Sequence, residues 1–301
     1  MKKKLIAMLL VIIAPIAQSA CSVRNEEKVV KTYMMELQSQ SEKEIFSSKT
    51  FPYEVEWTDD GKHFALVEWV TNRIGNDDFF VRVFQTDSFT EIEIPKEINE
   101  RKHCGRTVNW IDNKNLIVIL LDSKMQQYFI LNLEDNTVKE FTEEEMSSHL
   151  MAISSINEKL INRIDIPNKD DVRRELRKKI GTDYNEGILS LDSSKFLYST
   201  EDNNVSLYDI KTDKNEELFK GFDLRWSLGE NMISYTVPKG INVSEFPSRS
   251  NSMSSEMETY VYDLKKRQSI KVADFYAKVF FSPDDRYIIF YPDNYIGQPN
   301  V

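Results

Sequence analysis

The sequence contains few of the residues on which catalytic and metal sites are usually built. Its two cysteines, Cys21 and Cys104, are too few for a disulfide framework. Its three histidines, His63, His103 and His149, are spread over a predicted turn, a loop and a helix, without carboxylates at zinc-ligand spacing. Gly-x-Ser-x-Gly, His-Glu-x-x-His, Walker, Cys-x-x-Cys and calcium-loop patterns are all absent. We therefore predict no cofactor and no metal, and favour a non-catalytic role over an enzymatic one.

Basic charge is also scarce. The chain has 39 lysines and arginines against 49 acidic residues, a net charge of −10. Without the three lysines of residues 1–20 the net charge is −13. Such a surface repels nucleic acid and anionic lipid headgroups, and no surface that combines aromatic and basic residues is evident. We therefore predict that nucleic acid is not a partner.

Long apolar runs are absent except at the N-terminus. Lys2, Lys3 and Lys4 precede the 13-residue apolar run Leu5–Ala17, and Gln18–Cys21 follows it. This order is typical of a secretory signal peptide, and the run is shorter than the roughly 20 residues of a membrane span. The sequence thus predicts a signal peptide over residues 1–20 and export of the mature chain.

The small pair Ser19-Ala20 before Cys21 resembles the cleavage box of bacterial lipoproteins. In that family the cysteine is acylated and becomes the first mature residue, although Gln18 stands where the family prefers Leu, Val or Ile. The resemblance implies lipid attachment at Cys21, a tether over residues 21–30, and a membrane-anchored place in the cell envelope, periplasmic or at the surface. Cleavage after Ser19, followed by secretion, is the alternative; Cys21 could then bridge to Cys104.

One two-strand unit recurs five times. An apolar strand with an aromatic near its end leads through a tight polar turn into a second apolar strand, which is a hairpin signal. The copies begin at residues 55–61, 108–114, 188–194, 224–230 and 279–285. In the third copy, we align Ser190 with the aromatic position.

A second two-strand unit follows the first four copies, at residues 80–94, 128–141, 205–219 and 260–272. After Tyr291 it is missing, but Tyr33–Leu37 and Glu44–Phe46 match it at the start of the mature chain. Chain ends that share one blade close a ring of four-stranded blades and leave no open edge in the ring. We therefore predict an all-β protein, a five-bladed β-propeller over residues 31–301. Six blades or a β-sandwich are the alternatives.

The units resemble the WD40-like repeats of TolB-type propellers. Phe281–Asp285 and Trp57–Gly61 are similar to the family's Ser-Pro-Asp-Gly turn, and Val261–Leu264 to its Tyr-Asp-Leu strand. The resemblance covers nearly all of residues 30–292, although each unit is degenerate and the fourth lacks the turn aspartates. It implies a propeller in a periplasmic or surface setting, but not the family's own partners.

Two insertions interrupt the repeats. In residues 142–184, a Thr142/Glu145 capping box and apolar residues at helical spacing predict a helical hairpin that packs on the propeller. A decayed sixth blade is the alternative there. Residues 238–258 are rich in Ser, Asn and Met without periodicity, which predicts a mobile loop.

Strand direction places these insertions together. Because successive blade strands alternate in direction, both insertions emerge on one face with the segment 95–106, which contains His103, Cys104 and Arg106. We predict that this face binds another protein of the envelope and that the chain is a protein-binding or scaffolding module.

Charged residues on the predicted innermost strands suggest an alternative function. Some five-bladed propellers are glycoside hydrolases that use funnel carboxylates, which makes Glu54, Glu56 and Asp223 the catalytic candidates of a carbohydrate-active enzyme. Ion pairing with Arg225 and Lys278 explains the same residues without catalysis. Two carboxyls facing each other about 5–10 Å apart would favour the enzyme, and burial in salt bridges would argue against it.

Overall fold

The computed structural model describes residues 30–48, 52–71, 77–100, 105–121, 126–142, 144–146, 176–181, 184–190, 192–240 and 257–293. These residues form five four-stranded antiparallel sheets. Continuous apolar and β-branched runs such as Leu116–Leu121 are typical of strands buried on both faces. The predicted five-bladed β-propeller is confirmed.

Each sheet is one blade, and its strands are given from the innermost outward. Blade 1 contains β3 (Pro52–Trp57), β4 (His63–Thr71), β5 (Asp77–Gln85) and β6 (Thr90–Ile92). Blade 2 contains β7 (Gly105–Trp110), β8 (Asn115–Leu121), β9 (Gln126–Asn132) and β10 (Thr137–Phe141). Blade 3 contains β11 (Tyr184–Leu189), β12 (Lys195–Thr200), β13 (Asn204–Asp209) and β14 (Lys214–Lys220). Blade 4 contains β15 (Phe222–Trp226), β16 (Met232–Pro238), β17 (Met257–Asp263) and β18 (Gln268–Ala273). A short helix, α1 (Lys96–Glu100), lies between blades 1 and 2.

Blade 5 is shared by the two ends of the described chain. Its strands are β19 (Ala277–Phe281), β20 (Tyr287–Pro292), β1 (Val30–Glu36) and β2 (Ser41–Ser48). Tyr33 lies opposite Phe290 with stacked rings 5.3 Å apart. Arg286 donates to Glu36 at 3.0 Å. The predicted closure by N-terminal strands is therefore confirmed.

Alternating side chains bury both faces of each blade. In β4, Phe64 and Leu66 pack against Ile289 of blade 5, whereas Ala65 and Val67 pack against Val118 of blade 2. All six side chains have no exposed surface. One apolar cluster likewise spans the junction of blades 3 and 4, and a second cluster spans the junction of blades 4 and 5.

The junction between blades 2 and 3 is built differently. Its two facing surfaces form separate clusters, one around Ile117 and Tyr128 of blade 2 and one around Phe196 of blade 3. Met146 completes the first cluster and Leu176 the second, with 0% and 4% of their surfaces exposed. Both residues belong to the insertion predicted over residues 142–184. The ends of this insertion are thus part of the core.

The described ends of that insertion are helical. The Thr142 N–H donates to Glu145 Oε2 at 2.9 Å, and the Glu145 N–H donates to Thr142 Oγ1 at 3.3 Å, which is the reciprocal pattern of a capping box. Residues 176–180 form a helical turn, and Gly181 follows with a φ of +70°, a conformation that favours glycine. Residues 147–175 lie outside the described residues.

A hydroxyl residue organises the first hairpin of four blades. In Thr58, Ser190, Ser227 and Ser282, the hydroxyl accepts the backbone N–H five residues later at 2.8–3.1 Å. Ser190 therefore occupies the turn position, and Leu189 the position of the aromatic residue. The alignment of Ser190 with the aromatics was wrong by one residue.

Blade 4 obtains its turn aspartate from its neighbour. Asp285 of blade 5 accepts the Gly229 N–H at 3.3 Å and the Asn231 Nδ2–H at 2.9 Å. The missing aspartates of this repeat are thus compensated across the blade junction. Beyond this hairpin, β16 and β17 extend into the predicted mobile loop 238–258, because Pro238 pairs with Met257. Residues 241–256 lie outside the described residues.

Candidate functional site

The two faces of the propeller differ in the length of their connections. Connections from the first to the second strand and from the third to the fourth strand share one face, here called the turn face. Each of these ten connections has only four or five residues. The opposite face, here called the connection face, carries the segments 93–104, 142–183 and 239–256 between strands. Both insertions therefore belong to the connection face, as the strand directions predicted.

Glu54 and Glu56 lie side by side on β3, the innermost strand of blade 1, and face blade 2. The Val108 N–H of β7 donates to Glu54 Oε2 at 3.2 Å. The Trp110 Nε1–H donates to the backbone oxygen of Glu56 at 3.1 Å. Because β7 is the innermost strand of blade 2, a backbone N–H of β7 that does not bond to β8 points to the central channel. The Val108 N–H is such a group. Glu54 therefore lies where the blade 1–2 junction meets the channel.

Both carboxyl groups are desolvated. Burial raises the pKa of Glu54 to about 7, against an opposing contribution from the Val108 hydrogen bond. Burial also raises the pKa of Glu56 to about 7, and the charge of Glu54 adds to the effect. Among the described residues, no basic side chain forms an ion pair with either group. A pKa near 7 suits a group that gains or loses a proton at neutral pH.

Asp223, the third sequence-predicted carboxylate, has partners. It lies on β15, accepts a hydrogen bond from the Tyr276 hydroxyl at 2.7 Å, and lies 3.8 Å from Arg225 Nη2. Lys278 of β19 is half-buried, and both burial and the charge of Arg225 lower its pKa. The structure therefore brings Asp223, Arg225 and Lys278 together at the blade 4–5 junction.

The binding residues predicted on the segment 95–106 are corrected in part. Arg106 is not a loop residue, because it lies on β7 and only 2% of its surface is exposed. Its Nη1 donates to Asn99 Oδ1 at 2.7 Å, which links blade 2 to α1. Arg106 therefore cannot contact a partner at the surface. His103, Cys104 and the lipid-attachment residue Cys21 lie outside the described residues.

The described ranges contain no metal-ligand cluster and no membrane-spanning helix. No group of three or more His, Cys, Asp or Glu side chains is placed there to hold a metal ion. His63 begins β4 with its ring 6.4 Å from that of Trp110, and burial lowers its pKa. His149 falls outside these ranges. None of the described helices is long and apolar enough to cross a membrane.

Sequence reasoning missed a further surface on the outside of blade 1. There a cavity of about 540 Å³ lies between β5, β6 and α1, and Asn99 is among its lining residues. One feature of the sequence could have indicated this cavity. Pro95 lies three residues after Ile92, and because proline cannot donate a hydrogen bond to a neighbouring strand, it limits the length of the outer strand β6.

Comparisons with known proteins returned only remote structural likenesses. No family model and no curated protein matches the sequence. TolB from Acinetobacter baumannii is 13% identical, with 92% of this chain and 67% of that chain covered and a TM-score of 0.28. A protein assigned as TolB in Agrobacterium tumefaciens is 6% identical, with 87% and 97% covered and a TM-score of 0.35. The AtxE2 isopeptidase is 9% identical, with 79% of this chain but 47% of that enzyme covered and a TM-score of 0.43. At these scores, the evidence for the fold is the strand order itself.

Proposed function

We propose that this chain is an exported propeller, lipid-anchored through Cys21 in a bacterial cell envelope, that acts as a non-catalytic protein-binding or scaffolding module. The observation that carries the binding role is the asymmetry of the two faces. The turn face consists of uniformly short turns, whereas the connection face carries every long segment between the strands. Loops held by a rigid scaffold are the usual place for binding residues. The proposed partner is another envelope protein, bound at the connection face.

The position of β1 in blade 5 fits the proposed anchor. β1 is the third strand of blade 5, and its first residue, Val30, lies at the connection-face end of that strand. The nine residues 21–29 reach about 30 Å when extended. A lipid at Cys21 would therefore hold the propeller within about 30 Å of the membrane.

Native envelopes provide the test of the binding role. Crosslinking and pull-down would compare the intact chain with a variant in which a Gly/Ser linker replaces residues 147–175. That replacement keeps Met146 and Leu176, whose burial makes removal of all of 142–184 a core deletion. A turn-face variant, Lys211→Ala with Lys265→Ala, is the matched control. We expect a partner that the intact and control chains capture and the linker variant loses. Equal capture by all three chains would refute a role of the insertion.

The anchor requires a separate test. Cys21→Ala should move the protein from the membrane fraction to the soluble fraction and remove the lipid mass from its N-terminal peptide. Cys104→Ala is the matched control and should change neither. Membrane association that survives Cys21→Ala would argue against lipidation, and a native N-terminus at Ala20 would favour secretion.

Glu54 and Glu56 favour a second candidate, a carbohydrate-active enzyme, because two desolvated carboxyls with a pKa near 7 suit acid–base catalysis. They lie beside each other on one strand rather than facing each other across the channel, and Asp223 is held by Tyr276 and Arg225. A panel of chromogenic glycosides tests this candidate. Hydrolysis that is lost in both Glu54→Gln and Glu56→Gln would replace the scaffold proposal with the enzyme.

A further inference from the structure

The innermost strands of blades 1, 4 and 5 carry charged side chains at matching heights along the central channel. Each charged residue lies four or two positions before the hydroxyl residue that organises the hairpin of its blade. Because equivalent residues of a propeller repeat lie at about one height around the ring, Glu54, Asp223 and Lys278 share one height. Glu56 and Arg225 share the next. Each of the five retains some exposed surface, which an innermost strand presents to the channel or its mouths.

Two cations lie together on the side of blades 4 and 5. Arg225 Nη2 lies 3.8 Å from Asp223, beyond hydrogen-bond distance, and the Asp223 carboxylate already accepts the Tyr276 hydroxyl at 2.7 Å. Lys278 forms no ion pair with another described residue. Burial and the charge of Arg225 lower the pKa of Lys278, against an opposing contribution from Asp293. The guanidinium and ammonium groups therefore have donors to offer an anion.

The backbone beside these cations is distorted. Asp223 has a φ of +53°, a left-handed conformation that residues other than glycine rarely adopt. The pairing of β15 with β16 shifts register between Phe222 and Arg225, which makes this point a bulge. Bulges change the direction of side chains, and strained backbone is concentrated at binding and catalytic sites. The distortion thus coincides with the place where Arg225 and Asp223 reach the channel.

The blade 1 side of the channel carries the opposite charge. Glu54 and Glu56 lie side by side, and the Val108 N–H donates to Glu54 at 3.2 Å. No described basic side chain contributes to the raised pKa of either carboxyl, so the cations of blades 4 and 5 do not compensate them. One side of the channel therefore lacks a cation and the other lacks an anion. A ligand with opposite charges at its two ends would supply both.

We propose that the central channel binds a small zwitterionic ligand, whose ammonium group Glu54 and Glu56 hold and whose carboxylate Arg225 and Lys278 hold. Hydrogen bonds between charged groups are stronger than neutral ones, and a guanidinium matches the geometry of a carboxylate. Free amino acids and short peptides share this chemistry and differ in the separation of their charges. The site lies on innermost strands and is separate from the partner surface proposed on the connection face.

Glycine and its oligomers are suitable probes, because only their two ends are charged. Isothermal titration calorimetry would measure the binding of glycine, triglycine and pentaglycine to the full mature protein. At about pH 7.5, in a buffer without zwitterions, both the ammonium groups and the channel carboxylates are mostly charged. The N-acetylated and the C-amidated form of each probe are the controls, since each lacks one charge.

We expect saturable binding of at least one zwitterionic probe. Each of its blocked forms should bind at least about tenfold more weakly, a difference of about 1.4 kcal/mol. Binding of glycine itself would identify a site for free amino acids, and binding of only the longer probes would identify a site for short peptides.

Protein variants test the two ends of the site. Glu54→Gln with Glu56→Gln and, separately, Lys278→Gln should each weaken binding at least about tenfold, which again corresponds to about 1.4 kcal/mol. Lys278→Arg keeps the charge and should retain binding. Glu217→Gln and Lys265→Gln make the same charge changes on exposed residues and should leave binding unchanged. Urea midpoints of all variants would separate a loss of binding from a loss of folding.

The outcomes are separable. Absence of saturable binding by every zwitterionic probe would overturn the proposal. Equal binding of the N-acetylated form would overturn the role of the two glutamates, and equal binding of the C-amidated form would overturn that of the two cations. Equal weakening by the channel variants and the exposed controls would overturn the location. The assay involves no native partner, so its failure would not bear on the proposed scaffold function.

Discussion

Replacing Glu54 and Glu56 by glutamine should stabilise the protein, although both residues lie beside the central channel. Glutamine has the shape of glutamate and can still accept the Val108 N–H, but it carries no charge to desolvate. Burial raises the pKa of each carboxyl from 4.5 to about 7. The folded state therefore holds more protons than the unfolded chain between these two values. As a result, the carboxyls cost no stability below about pH 4.5, and the full cost is present above about pH 7.

The expected gain in stability can be calculated from the rise in the two pKa values. One pKa unit corresponds to about 1.4 kcal/mol, so each carboxylate opposes folding by about 3 kcal/mol at pH 8. The charge of Glu54 contributes to the raised pKa of Glu56, so the two losses of folding free energy are not additive. We expect the double variant to be about 4 kcal/mol more stable than the parent chain at pH 8. At an m-value of about 2–3 kcal/mol/M, this raises the urea midpoint by about 1–2 M.

Urea unfolding of the parent and double variant at several pH values from 4 to 8 is the measurement. The difference between them should be small at pH 4 and grow through the range in which the carboxyls ionise. Glu217→Gln, an exposed residue on β14, is the control and should stay within about 0.5 kcal/mol of the parent at every pH. A double variant that is no more stable at pH 8, or a difference independent of pH, would refute desolvation as the cause of the raised pKa values.

Three substitutions test the packing by urea unfolding. Met146→Ala should lower the free energy of unfolding by about 2–5 kcal/mol, because Met146 is fully buried against blade 2. The nearby Glu144 is exposed, so Glu144→Ala should lower it by less than about 1 kcal/mol. Equal losses would show that the insertion does not belong to the core. Met34→Ala should cost about 2–5 kcal/mol if the N-terminal strand closes the ring, and a cost below about 1 kcal/mol would contradict that closure. Gly229→Ala should destabilise by about 1–3 kcal/mol because its Cβ would overlap the Asp285 carboxylate, and Asp285→Ala in the same chain should relieve the clash; additive costs would contradict this contact.

The architecture was predictable from the sequence because each repeat carries its own local signals. Turn residues such as Asp60 and Gly61 mark hairpins, and alternating side chains such as those of β4 mark strands buried on both faces. The closing blade was predictable because the C-terminal two-strand unit and the N-terminal two-strand unit together make up one four-stranded repeat. The error at Ser190 arose because a leucine replaces the aromatic before it, so the strand end carried no marker.

The site was less predictable because its interactions cross blade junctions. The sequence identified Glu54, Glu56 and Asp223 as inner-strand carboxylates, but not which of them would find partners. Tyr276, which bonds to Asp223, lies 53 residues away along the chain, and Val108, which bonds to Glu54, lies 54 residues away. Such pairings depend on the register and tilt of neighbouring blades. The burial of Arg106 was missed for the same reason, because its partner Asn99 lies on a helix that packs on the previous blade.

Blade 1 differs from the other blades at its innermost strand. That strand carries two desolvated carboxyls, Glu54 and Glu56, with which no described basic residue forms an ion pair. This arrangement has a cost, because uncompensated buried charge destabilises the fold. In blade 4, by contrast, the inner-strand carboxylate Asp223 accepts a hydrogen bond from Tyr276 and lies 3.8 Å from Arg225. Departures of this kind are expected at functional sites rather than in scaffold regions. The inner strand of blade 1 is accordingly where a ligand that neutralises buried carboxylates would stabilise the protein most.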